Sequence, residues 1–145
     1  MAHLPDPENQ PQFYDSVPAK RLVAWCVDMI LIVALCLLIV PFTAFAGLFF
    51  FPLLLAIVGF IYRVVTLSMG SATWGMRFAA IELRTADGAR FDGSMALLHT
   101  AGYTLSFAFP LLQIVSVILM LTGPRGQGLT DLALGTVALN RRAMA

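Results

Sequence analysis

The chain has 145 residues, 59% of them hydrophobic and 12% charged, about half the ionic content of an ordinary soluble domain. That balance points to a membrane protein rather than a soluble one, and the length allows a single domain. The net charge of +1 gives no bulk attraction for nucleic acid or acidic partners, so the placement of the few charges matters more than their sum.

Residues 1–17 form a polar arm with Pro5, Pro7 and Pro11. It has no basic stretch followed by an apolar core, so it does not read as a signal peptide. It is expected to lie extended at the membrane surface, with Phe13 and Tyr14 reaching into the headgroup layer.

Residues 18–142 read as one transmembrane domain. From Leu22 up to Tyr62 the only ionisable side chain other than two thiols is Asp28. A spanning helix needs about 20 apolar residues, so this run is long enough for two. Pro41 and residues 43–47 supply the break. The predicted spans are therefore about 18–40 and 44–62, joined as an antiparallel hairpin. Pro52 falls inside the second and is expected to kink it.

Residues 63–93 are too polar to cross a bilayer. They hold Arg63, Arg77, Arg84 and Arg90, and Ala86-Asp87-Gly88 has turn chemistry. The expectation is a short β-hairpin, or an interfacial helix followed by one. Arginines crowd this loop while residues 41–47 carry no Lys or Arg, so the loop and the amino terminus are expected on the cytoplasmic side.

Residues 94–122 are apolar again, with Pro110 at the centre. They form either one long kinked span or a tight helical hairpin. Arg125, Arg141 and Arg142 favour the hairpin, which returns the tail to the cytoplasm. The expected fold class is thus all-α membrane, with three transmembrane spans or four helical segments. A closing motif occupies residues 123–142.

Few residues carry chemistry. An aspartate near the middle of a membrane helix costs about 2.5–3.5 kcal/mol on insertion scales, so Asp28 needs a partner. Arg21 stands seven residues earlier on the same helical face, about 10 Å along the axis. A long arginine bending inward, or a bridging water, would close that gap. Asp131 follows the turn of residues 123–128 and opens the last segment on the side where Arg21 should lie. His99 reads as a packed core residue. Cys26 and Cys36 stand about 15 Å apart on one helix, too far to bridge. No metal-ligand or cofactor-binding spacing occurs, and no catalytic grouping suggests an enzyme.

These residues resemble the RDD family of small bacterial membrane proteins, named for one arginine and two aspartates. Arg21, Asp28 and Asp131 match those three. The run Gly70-Ser71-Ala72-Thr73-Trp74-Gly75-Met76-Arg77 resembles the family's Gly-x-x-Thr-x-Gly-Lys-Arg signature, and Gly128-Leu129-Thr130-Asp131 through Gly135-Thr136-Val137 its closing motif. The resemblance runs from about residue 18 to residue 142. Two departures stand out: Met76 replaces a frequent lysine, and His99 a frequent arginine. The resemblance implies a small helical domain in the bacterial inner (cytoplasmic) membrane and a transport role, which in some members is cation/proton exchange.

The leading expectation is monovalent cation/proton exchange, with Asp28 and Asp131 competing for cation or proton and Arg21 as fixed counter-charge. The alternative is a non-catalytic accessory subunit or assembly factor of a larger membrane complex. There the charges fix helix register, and Phe49-Phe50-Phe51 meets lipid or a partner. So short a chain implies the lipid bilayer plus a homo-oligomer or a larger membrane complex as partners.

Overall fold

The computed structural model describes residues 3–144. Helix α1 is Val17–Ile39, with Pro18 in its first turn, where the missing N–H leaves no bond unmade. Its 23 residues extend about 34 Å, enough to cross the hydrocarbon. It ends in a tight turn over Val40–Thr43. There the Thr43 hydroxyl donates to the Val40 carbonyl and accepts from the Gly47 amide, at 2.8 and 3.0 Å.

Helix α2 is Phe51–Gly70, so the second span is displaced toward the carboxyl end relative to the expected 44–62. Two physical reasons account for the shift. Pro52 falls in the first turn, where proline starts a helix rather than kinking one. At the other end Arg63 does not close the span, because it is buried among partners within the protein.

The polar stretch after α2 holds a short helix, α3 (Trp74–Phe78), and strand β1 (Ile81–Arg84). The expected local hairpin is not formed. A turn does close at Gly88, with the Thr85 amide bonded to the Ala89 carbonyl at 2.9 Å. The chain beyond it is captured instead by Ser71. That hydroxyl accepts from the Phe91 amide at 2.9 Å and donates to the Leu83 carbonyl. The partner of β1 is β2 (Val137–Asn140), antiparallel, with Ile81 opposite Asn140 and Arg84 opposite Val137.

Residues 94–122 do not make one continuous helix. Helices α4 (Gly93–Ala108) and α5 (Pro110–Thr122) meet at a 117° bend. Phe109 is extended there, and Pro110 has no amide to continue the α4 ladder. Helix α6 (Leu129–Leu134) then returns the chain to β2. The fold is mostly helical, and among the described residues two helices are long and apolar enough to span a bilayer, or three spans if the bent pair counts as one. The one sheet among the described residues is the small β1–β2 pair.

That sheet gathers both ends of the chain. Val137 and Leu139 pack against Phe13 and Tyr14, all buried. The two aromatics are therefore part of the protein interior and not membrane anchors. The Asn140 amide donates to the Gln12 and Asp15 carbonyls at 2.9 and 2.8 Å, while Lys20 reaches the Asn140 side-chain oxygen at 2.8 Å. Amino-terminal arm, α1 start and final strand thus lie at one end of the bundle.

Candidate functional site

Asp28 lies on α1 and is buried. Its Oδ1 accepts from the Tyr62 hydroxyl at 2.6 Å and the Gly75 amide at 2.9 Å, and its Oδ2 accepts from Thr73 Oγ1 at 2.7 Å. The Thr73 hydroxyl in turn accepts from the Met76 amide at 3.2 Å, capping α3. Asp28 is thereby the post to which α3 is tied. The close approach requires glycine at position 75, because a Cβ there would stand 2.1 Å from the Ala24 carbonyl oxygen and 2.7 Å from Asp28 Oδ1.

Asp131 forms the second node. Its Oδ2 meets Arg21 Nη1 at 2.6 Å and the Gly128 amide at 3.2 Å. Its Oδ1 meets Thr136 Oγ1 at 2.7 Å and His99 Nε2 at 2.9 Å. Beside an ionised carboxylate the imidazole must present its proton on Nε2, which fixes the tautomer of the neutral ring. Burial by itself would raise the Asp131 carboxyl. The Arg21 guanidinium and the His99 and Thr136 hydrogen bonds outweigh it and hold the group well below the usual carboxylate range.

The lowered value makes the node acid-sensitive. Its contribution to stability is complete above the unfolded carboxylate value of about 3.9 and is lost as pH falls from there toward the folded one. Detergent-solubilised protein should therefore unfold more readily on acidification below about pH 4, and Asp131→Asn should flatten that dependence. An equally steep profile in the variant would remove Asp131 as its cause.

Of the three residues singled out in the sequence, Arg21 and Asp131 are joined directly. Asp28 is not joined to Arg21. The inward-bending arginine is unnecessary, because Tyr62, Thr73 and Gly75 already serve the carboxylate and Arg63 Nη1 stands 4.0 Å from it. All three line one cavity of about 420 Å³, together with Arg63, His99 and Tyr103.

Several contributors were not marked in the sequence as site residues. Tyr62 and Arg63 read there as the close of a span. His99 is the packed residue it was taken for, but its packing partner is Asp131. Thr73, Gly75 and Thr136 stood inside the family-like motifs without an assigned role, although a hydroxyl or glycine at a fixed offset was the available signal. A third buried carboxylate, Glu82 on β1, meets Arg84 at 2.6 Å, with Arg90 and Arg141 each at 3.9 Å.

Among the described residues no group of three or more His, Cys, Asp or Glu side chains is placed to hold a metal ion. Cys26 and Cys36 are free thiols.

No curated protein and no solved structure matches the chain. The family model of the RDD family matches residues 16–135, a range that contains Arg21, both aspartates and nearly every group that holds them. On that match the chain belongs to the RDD family.

Proposed function

We propose that this protein is a non-catalytic accessory subunit or assembly factor of a larger membrane complex, and that its charge clusters lock the helices rather than move ions. The observation that carries this reading is that one carboxylate is saturated with donors and the other nearly so. A carboxylate offers about four lone-pair positions. Asp131 fills them with four donors, two on each oxygen. Asp28 has three, and the Arg63 guanidinium faces the remaining side. A monovalent cation would have to displace Arg21 from 2.6 Å, and the arginine cannot discharge to make way.

The bent pair α4–α5 supports the same reading. Its helices have 16 and 13 residues, each shorter than a standard span of about 20. A partner helix or a second copy would shield the Phe109–Pro110 break from hydrocarbon, where unmet backbone groups are costly. Under this proposal the protein resides in a bacterial inner membrane. The arginines at the sheet end support a cytoplasmic position for that end and for both termini, by the positive-inside rule.

Monovalent cation/proton exchange is the second reading, and His99 favours it. The ring lines the cavity, and its Nδ1 is buried without a hydrogen-bond partner among the described residues. A proton could therefore be taken up beside Asp131 without disturbing Arg21.

Two measurements on the same preparation separate the readings. In mild detergent the tagged protein should migrate on native gels with a much larger assembly of defined subunits. In proteoliposomes carrying a sodium or potassium gradient, proton flux should equal that of empty vesicles. Flux clearly above that background, abolished by Asp28→Asn or His99→Gln in correctly inserted protein, would overturn the accessory reading in favour of exchange.

A further inference from the structure

Arg63 has a need that the protein itself does not meet. It is 5% exposed, and its guanidinium makes no hydrogen bond among the described residues. Its contacts are the face of Tyr103, 3.9 Å from the guanidinium carbon to the ring centroid, and Asp28 Oδ2 at 4.0 Å. The first is a cation–π contact, and the second is too long for a hydrogen bond. The Arg63 Nε is thus fully enclosed without a hydrogen-bond partner among the described residues, an arrangement native proteins rarely leave unfilled.

The cavity beside Arg63 indicates what kind of acceptor fits. Helix α1 packs on α2 and α3, and α5 packs on α4 and α6. The cavity is lined mainly by α1, α4 and α5, with α6 at its polar end. Leu22 on α1 and Leu121 on α5 line it while being 62% and 69% exposed. Its mouth therefore opens on the apolar flank, toward hydrocarbon chains.

The polar end is charge-balanced. Arg21 answers Asp131 and Arg63 answers Asp28, so an added anion would leave an uncompensated buried charge. A neutral acceptor needs no such compensation. Tyr103 oxygen already accepts from the Trp25 indole N–H at 2.9 Å, which leaves the phenol proton free to donate alongside Arg63.

We infer that this cavity holds a glycerolipid drawn sideways from the bilayer, with an ester carbonyl oxygen accepting from Arg63 and the attached acyl chain lying between α1 and α5. The volume of about 420 Å³ falls within the range of small-ligand sites. It accommodates the ester region and the first part of one chain, while the rest of the lipid stays in the membrane. This inference stands apart from the proposed function, since a subunit and an exchanger could each carry such a lipid.

The test is native mass spectrometry of detergent-purified protein, stripped of lipid and titrated with dioleoyl phosphatidylglycerol, with dioleoylglycerol as competitor. Wild type should bind one lipid per chain, and dioleoylglycerol, which has the ester carbonyls but no phosphate, should displace it. Arg63→Leu should weaken occupancy at least tenfold. Val117→Trp, which fills the chain lane and leaves Arg63 intact, should do the same and provides the test if the arginine variant fails to fold.

Three results would each overturn the inference. Wild type that binds no lipid would mean a cavity filled with water. Occupancy unchanged in a folded variant would mean ordinary lipid at the protein surface. Failure of dioleoylglycerol to compete would mean that a phosphate, not a carbonyl, is held.

Discussion

Asp131→Ala should destabilise the protein by about 3–5 kcal/mol, and the Arg21→Ala/Asp131→Ala double variant should lose clearly less than the two single losses added together. Removing the carboxylate leaves Arg21, His99, Thr136 and the Gly128 amide without their shared acceptor, all from one deletion. Removing Arg21 is milder, because Asp131 keeps three donors; a loss of about 1–3 kcal/mol is expected. Once either partner is gone, the other has no ion pair left to lose, so a coupling of about 2 kcal/mol should remain in the cycle. Reversible unfolding in mixed micelles, followed by circular dichroism, measures all four corners. Strict additivity would mean that the pair at 2.6 Å does not persist in the folded protein. The coupling also reports on architecture, since Arg21 opens α1 and Asp131 lies on α6.

Asp28→Ala should have a comparable effect, about 3–5 kcal/mol, with a different signature. The Tyr62 and Thr73 hydroxyls and the Gly75 amide all lose their acceptor, and Arg63 loses its nearest counter-charge. Because Thr73 and Gly75 hold α3 on α1, the loop between α2 and α4 should become protease-sensitive before the helices unfold. Gly75→Ala should reproduce that phenotype with the carboxylate intact, since the new methyl would collide with the Ala24 carbonyl and with Asp28. If Asp28→Ala keeps the loop protected and Gly75→Ala is tolerated, then α3 is not tied to α1 in this way. Conversely, loop cleavage in both variants with the spanning helices still folded would assign Asp28 to fastening rather than to ion passage.

Periodicity and composition alone determined the membrane class, the break near Pro41 and the polar character of residues 63–93. Each depends only on local hydropathy and on proline's missing donor. The family motifs marked Arg21, Asp28 and Asp131 before any geometry was known. Only the tertiary structure decided what those residues touch. Seven-residue spacing pointed to an Arg21–Asp28 partnership, but spacing along one helix says nothing about donors arriving from others. Asp28 took Tyr62, Thr73 and Gly75 from α2 and α3, and Arg21 took Asp131 from the far end of the chain. Strand β1 looked like half of a local hairpin because its turn was legible. Its true partner β2 lies beyond α6, and that pairing depends on long-range burial of Leu83 and Leu139, which local turn chemistry does not encode. Arg63 is the sharpest case. In sequence, a charge beside an apolar run marks the end of a span, yet an aspartate and an aromatic face brought in by other helices let it stay inside.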